Sequence, residues 1–214
     1  MAIINQEELL KGGLDRAVEL MAVAANTAMM FGKQKLKIVS MGPEEFEDLS
    51  GFCEGIAGLS PLADRDGRSF ADLAKDDARA LLIGANRKSV YNFDCGACGY
   101  ATCAELNRAP LVEGIVANGP CCHFAVYDMH MAAMAAAAAA WRMGLHCRVF
   151  QTVGTAATAC EFITDIDFSV GVGVSYQQID PFFDRHKYWT DEEWKEKFAQ
   201  DFPSFARRFI GAVE

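Results

Sequence analysis

Hydrophobic residues recur at helical spacing in the first part of the chain. Over Gln6–Met29 they predict a helix, and Gly12-Gly13 predicts a break close to its start. The next segment, Lys35–Met41, alternates between apolar and polar residues like a strand. Pro43–Glu45 then places a proline and two acidic residues where a helix begins, and we expect this second helix to end by Gly58.

Further segments have the short apolar pattern of strands. They are Arg79–Ala85, Leu145–Gln151 and Phe168–Tyr176. Two glycines inside the last segment predict a bulge or close packing against an alanine-rich helix. A lone G-x-G inside a strand lacks the strand-turn-helix context of a dinucleotide site, so we do not expect nucleotide binding there.

The longest apolar stretch is Met129–Trp141, which is rich in methionine and alanine. It is shorter than a bilayer span and is flanked by Asp128 and Arg142, so we expect a buried helix and not a transmembrane segment. Alanine lets a neighbouring backbone approach closely, which predicts packing against a sheet or a partner subunit. Asp128 is expected to cap this helix.

The remaining segments are more polar. Pro61–Arg68 is predicted to be a turn, followed by a short helix from Ser69 to Lys75. Thr152–Ile163 predicts a helix, and the capping box in Thr190–Glu193 predicts a terminal helical region.

Strands separated by helices indicate an α/β or α+β sandwich. The 214 residues, of which 51% are hydrophobic, are enough for a single domain with a substantial core, covering residues 1–214. The segment 86–124 is rich in glycine and cysteine and lies between a strand and a long helix. We expect it to be an inserted cysteine-rich loop.

The charge balance excludes one class of partner. The chain has 20 Lys and Arg against 29 Asp and Glu, a formal net charge of -9, so it lacks the basic surface that binds nucleic acid. The first residues do not resemble a secretory signal, and we expect a cytoplasmic protein. Eight cysteines in a reducing compartment are typical of metal ligands or redox groups.

One short segment, DCGACGYATC, concentrates the cysteines. Cys95, Cys98 and Cys103 have the spacing C-x2-C-x4-C, and three thiolates so close together predict a single bound object. Soft sulfur ligands favour zinc, copper(I) or an iron–sulfur cluster. Gly96 and Gly99 each follow a cysteine, where a positive φ angle lets backbone N–H groups point at an anionic core. Three local ligands and one distant ligand favour a four-iron cluster over structural zinc.

The fourth ligand is ambiguous from spacing alone, because Cys121 and Cys122 are adjacent and only one of them is expected to face the metal. Zinc and uncoordinated reduced thiols remain as alternatives. The other cysteines are expected to be small buried hydrophobic residues; they are Cys53, Cys147 and Cys160.

The cysteine loop resembles the iron–sulfur segment of a membrane-associated electron-transport complex and of corrinoid iron–sulfur proteins. More of the chain resembles an uncharacterised family of ferredoxin domain-containing proteins. The matching segments are Ala24–Ala28, Leu81–Ala85, the cysteine loop, Gly119–Ala132, Thr152–Ala159 and Phe182–Arg185. In that family one cysteine lies six residues before the aspartate of the following helix, which implies Cys122 as the fourth ligand.

The order of elements is also similar to that of flavin-dependent nitroreductases. That resemblance implies a nitroreductase-like fold, a homodimer and FMN bound at the subunit interface. Candidates to bind the FMN phosphate are Lys33, Lys35, Arg185 and Lys187.

These observations predict an iron–sulfur redox protein. We expect a [4Fe-4S] cluster on Cys95, Cys98, Cys103 and Cys122, with the loop shaped by Gly96 and Gly99 and one cluster face shielded by Tyr100. The cluster would transfer electrons to a redox partner protein or a small-molecule acceptor, in an oxidoreductase of unknown substrate. The alternative is a non-enzymatic protein in which the cluster, or zinc, is structural or sensory. No pair of acidic residues has the context of a general acid and base, so no catalytic residue is assigned.

Overall fold

The computed structural model describes residues 4–28, 31, 35–56, 61–114, 117–183, 192 and 196. In this part of the chain the helices are α1 (Gln6–Asn26), α2 (Pro43–Gly55), α3 (Pro61–Lys75), α4 (Cys103–Arg108), α5 (His123–Arg142) and α6 (Gln151–Ala159). The strands are β1 (Lys37–Met41), β2 (Arg79–Ala85), β3 (His146–Phe150) and β4 (Phe168–Ser175). The four strands predicted from the sequence are confirmed, each within two residues of its predicted bounds.

The four strands among the described residues form one antiparallel sheet in the order β1-β2-β4-β3. β2 and β4 occupy its centre, and the register places Leu82 opposite Val39 on one side and Gly171 on the other. Gly171 in turn lies opposite Phe150 of β3. The fold is therefore a mixed α/β sandwich around an antiparallel sheet.

The helices cover both faces of this sheet. α1 and α5 pack against each other and against one face, where Leu81 and Ile83 of β2 join Val172 of β4 in the core. α2, α3 and α6 cover the other face, where the alternate β2 residues Ala80 and Leu82 point. Each central strand is thus buried on both sides, as the continuous apolar runs predict.

The glycines of β4 do pack closely, but not against the helix predicted: Gly171 faces α6, and Gly173 faces the rings of Phe150 and Phe182. A Cβ on Gly171 would lie 2.5 Å from Cγ1 of Val153 in α6, and a Cβ on Gly154 would lie 2.3 Å from the Ser169 carbonyl oxygen. α6 therefore approaches β4 at backbone distance through glycines on both elements. The alanine-rich helix α5 lies on the opposite face.

Three local predictions were wrong. α1 runs through Gly12-Gly13 without a break, and Pro61–Arg68 is not a turn but the first half of α3. Asp128 does not cap α5, because that helix begins at His123 with Cys122 as its N-cap. The capping box predicted in Thr190–Glu193 lies outside the described residues, apart from residue 192.

α5 has 20 residues, and Asp128 and Arg142 are its charged members. None of the helices that the structure describes is long and apolar enough to cross a membrane.

Candidate metal centre

The cysteine-rich segment connects the end of β2 to the start of α5. Ala85, the last residue of β2, accepts a hydrogen bond from the Asp167 N–H at 3.0 Å, and the Asp167 carboxylate accepts one from the Arg87 N–H at 2.8 Å. The Arg87 carbonyl then accepts a bond from the Cys122 N–H at 2.8 Å. These bonds fix both ends of the segment beside the start of β4.

Cys95 and Cys98 lie on a tight turn of this segment. Gly96 and Gly99 have φ angles of 72° and 87°, and the Gly99 N–H donates to the Gly96 carbonyl at 2.9 Å. A Cβ on either glycine would meet no heavy atom within 4 Å, so the backbone conformation, and not crowding, requires glycine there. Cys95 is exposed and Cys98 is half-buried.

Cys103 is held more firmly, because it is the first residue of α4 and is buried. Thr102 and Glu105 form a capping box at the start of this helix, in which each side chain accepts the other's backbone N–H at 3.2 Å. The Cys103 N–H donates to Oδ1 of Asp94 at 2.7 Å. The start of α4 is therefore tied to the turn that carries the other two cysteines.

Cys121 and Cys122 occupy different environments. Cys122 is buried in the core beneath α5 and serves as the N-cap of that helix without a side-chain capping bond. Cys121 is half-buried, and its Sγ donates to the Asn118 carbonyl at 2.9 Å. Burial and the Asp167 carboxylate raise the pKa of the Cys121 thiol, and the Arg87 guanidinium opposes this rise.

Arg87 places a buried cation among these elements. Only 7% of the residue is exposed, and its Nη2 donates to the carbonyl of Ala109, at the end of α4, at 2.9 Å. Its Nη1 is buried and has no hydrogen-bond partner. An unpaired buried donor is costly, and this one belongs to a residue that bonds the end of α4 through Nη2 and the Cys122 N–H through its carbonyl.

The sulfur atoms are not gathered into a metal site. All eight cysteines are free and described, and among the described residues no three His, Cys, Asp or Glu side chains form a group able to hold a metal ion. Among the cysteines of this segment, Cys103 and Cys122 are buried, Cys98 and Cys121 are half-buried, and Cys95 is exposed. The ligand set predicted from the sequence therefore stays a prediction.

Aromatic residues of this segment pack against the core under α5. Tyr100 is half-buried against the core under α5. Close by, the rings of Tyr91 and Phe93 stack at 5.6 Å, and Phe124 contacts both. The Tyr91 hydroxyl donates to the fully buried carboxylate of Asp128, which is the partner that replaces the predicted capping role of that residue.

Sequence analysis missed the side chains that surround the cysteines, namely Arg87, Ser89 and Tyr91. Each lies before the motif in the chain and reaches it only through tertiary contacts. Nothing in their spacing distinguishes them from ordinary loop residues. The one available signal is their position between a buried strand and the first cysteine.

Of the three cysteines outside the loop that were predicted to be buried, two are buried. Cys53 and Cys147 are buried, and burial raises the pKa of their thiols to about 12 and about 11. Cys160 is half-buried. Of the residues predicted to bind a flavin phosphate, Lys35 is exposed, and the others lie outside the described residues: Lys33, Arg185 and Lys187.

Comparison with known proteins bears on this site. Residues 118–185 match the sequence model of a family described as "Uncharacterized protein containing a ferredoxin domain (DUF2148)". The match covers only this part of the chain and shows what that part is similar to. The matched range contains Cys121, Cys122 and α5, and it confirms the family resemblance predicted from the sequence.

The chain is also similar to an uncharacterized protein of Archaeoglobus fulgidus. The two are 29% identical over 184 residues, which cover 86% of this chain and 97% of the relative. No solved structure matches the chain. The nitroreductase-like fold predicted above therefore stays a prediction.

Proposed function

We propose that this protein carries a [4Fe-4S] cluster on Cys95, Cys98, Cys103 and Cys122 and works in electron transfer. When bound, such a cluster accepts and donates one electron at a time, with a potential set by its surroundings. The family's ferredoxin domain supports an iron–sulfur role. The donor and acceptor would be one-electron redox groups such as a flavin or another iron–sulfur protein.

The observation that carries this proposal is the unpaired Nη1 of Arg87. A buried guanidinium nitrogen without an acceptor is typical of a site that binds an anionic group. A cluster with thiolate ligands is such a group, and the donors offered to it are soft sulfurs. The type of donor and the unpaired cation, though not yet the spacing of the sulfurs, therefore support an iron–sulfur cluster.

The structure supports Cys122 over Cys121 as the fourth ligand on two grounds. Cys122 is the N-cap of the 20-residue helix α5, where the helix dipole favours a thiolate. Its side chain makes no capping bond, so the sulfur is not committed elsewhere. Cys121, in contrast, donates its S–H to the Asn118 carbonyl.

The glycines and Tyr100 have separate roles in this proposal. Gly96 and Gly99 give the turn between Cys95 and Cys98 its positive φ angles, which hold those two cysteines close together in the chain. The half-buried ring of Tyr100 excludes water from one side. In such an arrangement the buried sulfurs of Cys103 and Cys122 anchor the group, and the turn with Cys95 forms its solvent edge.

We further propose a homodimer formed through α5. Tyr127, Met134 and Trp141 are exposed on one face of this helix. A helix with so little charge and such an exposed face is typical of one buried against a partner. Sedimentation of the full chain would show a dimer, and a monomer at all concentrations would contradict it.

Flavin released from the same protein would test the FMN binding that the nitroreductase resemblance implies.

The test of function is anaerobic purification of the full chain with iron, sulfide and zinc analysis. We expect brown protein whose broad visible absorption bleaches with dithionite. C122S should lose the cluster, and the adjacent matched variant C121S should keep it. Loss in C121S with retention in C122S would overturn the ligand assignment, and colourless protein containing zinc would overturn the function.

A dithionite titration separates the alternative, structural or sensory role. That alternative rests on Cys103 and Cys122 beginning or capping two different helices, which a bound metal would tie together. A cluster that cannot be reduced and reoxidised reversibly would favour it over electron transfer.

A further inference from the structure

Ser89 is a buried hydroxyl in direct contact with one of the cysteines. Its Oγ lies 3.3 Å from Sγ of Cys103, and only 4% of the residue is exposed. Neither the cysteine motif nor the family match includes it, since the match begins at residue 118. The contact joins the segment before the motif to the first residue of α4.

The backbone of Ser89 is held in place by the same helix that carries Cys103. The Ser89 N–H donates to Oδ1 of Asn107 at 2.7 Å, and the Ser89 carbonyl accepts from Nδ2 of Asn107 at 2.8 Å. Asn107 follows Cys103 by four residues, so the two lie on one face of α4. The distance from hydroxyl to sulfur is therefore fixed by two further hydrogen bonds.

The hydrogen-bond pattern also determines where the hydroxyl proton points. The Tyr91 N–H donates to Oγ of Ser89 at 3.3 Å, which uses the oxygen as an acceptor. The single hydroxyl proton is then directed to the Cys103 sulfur. When that sulfur is a thiolate it can only accept, and the bond becomes charge-assisted.

We infer that Ser89 is a positioning residue that raises the reduction potential of the cluster through its hydrogen bond to Cys103. This inference rests on the proposed function. A donor to a ligand sulfur stabilises the added negative charge of the reduced form more than the oxidised form, which moves the potential upward. This contact therefore makes the cluster easier to reduce.

The test is a redox titration of the anaerobic full chain, with dithionite as the reductant and EPR as the readout. S89A should titrate at a more negative midpoint than the wild type. S175A is the matched control, because Ser175 is also buried and its Oγ accepts the N–H of the residue two positions later, Gln177, at 3.1 Å. S175A should keep the wild-type midpoint.

If S89A binds little cluster, the variants S89T and S89V, whose side chains have the same shape, provide a second comparison. S89T keeps a hydroxyl and should remain near the wild-type midpoint, whereas S89V lacks it and should shift as S89A does. Loss of the cluster from S89A and S89V with retention in S89T would overturn the effect on the potential and assign the hydroxyl to cluster binding. A structural role alone would lower the stability of S89A and S89V and leave their midpoints unchanged.

The outcomes separate this inference from the proposed function. Equal midpoints for S89A and S175A, or for S89T and S89V, overturn the role of Ser89 and leave the cluster intact. Wild-type protein without iron and sulfide overturns the proposed function, and the role of Ser89 falls with it.

Discussion

The guanidinium of Arg87 shows how one side chain links the fold to the candidate site. Its Nη2 bond to Ala109 holds the end of α4, and its backbone carbonyl holds the N–H of Cys122. The same residue leaves Nη1 buried and unpaired. We therefore expect Arg87 both to stabilise the folded state and to interact with the bound anionic group.

Arg87→Met tests both roles, since methionine fills much of the space without charge or donors. Loss of the bond to Ala109 should lower the free energy of unfolding by about 1–3 kcal/mol, measured in urea. The cluster midpoint should become more negative. Arg108→Met, on the exposed end of α4, is the control and should change stability by less than about 0.5 kcal/mol. A destabilised Arg87→Met protein with a wild-type midpoint would limit Arg87 to a structural role.

At the residue scale, the sequence pattern indicated the candidate cysteine ligands but not the side chains of Arg87 and Ser89. The candidate ligands Cys95, Cys98 and Cys103 are visible in the sequence because they lie within one short segment. Arg87 and Ser89 act through partners on other elements, and chain order does not encode such contacts. The φ angles at Gly96 and Gly99 were predictable, because glycine after a cysteine in a turn has a local cause.

At the scale of elements, the approach of α6 to β4 depends on the absence of a side chain. Gly154→Ala would place a Cβ 2.3 Å from the Ser169 carbonyl, a contact that the backbone must move to relieve. We expect a loss of about 1–3 kcal/mol or more in the free energy of unfolding. Gly12→Ala in α1 meets nothing within 4 Å and should gain about 0.5–1 kcal/mol. Equal effects of the two changes would contradict this packing.

The contact between α2 and α3 predicts a dependence of stability on pH. Burial, with smaller effects of the Asp66 and Cys160 charges, raises the pKa of the Cys53 thiol from 9.0 to about 12. Above pH 9 the unfolded chain releases this proton while the folded chain keeps it. The contribution of Cys53 to stability is thus complete below pH 9 and falls as the pH rises toward 12.

Urea unfolding of the wild type and C53A at pH 8 and at pH 10 checks this direction. Stability should fall more between the two values in the wild type than in C53A. S175A, which removes a buried hydroxyl that does not ionise in this range, should keep the wild-type dependence. A C53A protein with the same pH dependence as the wild type would show that Cys53 does not ionise differently on unfolding.

Sequence patterns predicted the strands well because both faces of each central strand are apolar. They failed for α3, where polar residues stand at positions that the fold buries. Arg65 and Asp66 are both buried and form an ion pair at 2.6 Å, and Gly67 lets Cys53 of α2 approach its backbone. Pairing and helix contact of this kind override the turn signal of a polar, glycine-containing segment.

For the whole molecule, the candidate site is joined to the core on one face of the sheet and not to the core on the other face. The cysteine segment leaves from the end of β2 and returns at α5, and Cys122, Tyr91 and Leu106 join the core on that face. The second core, under α2, α3 and α6, contains none of the proposed ligands. Loss of the metal group should therefore loosen the α1–α5 side first.

The central claim is that the four cysteine sulfurs hold iron and sulfide. Mössbauer spectroscopy of the full chain, purified anaerobically from cells grown on iron-57, tests it most directly. We predict the spectrum of a [4Fe-4S] cluster, with about four iron and four sulfide per chain. Protein with no iron in that spectrum, or with zinc bound in its place, would contradict the account.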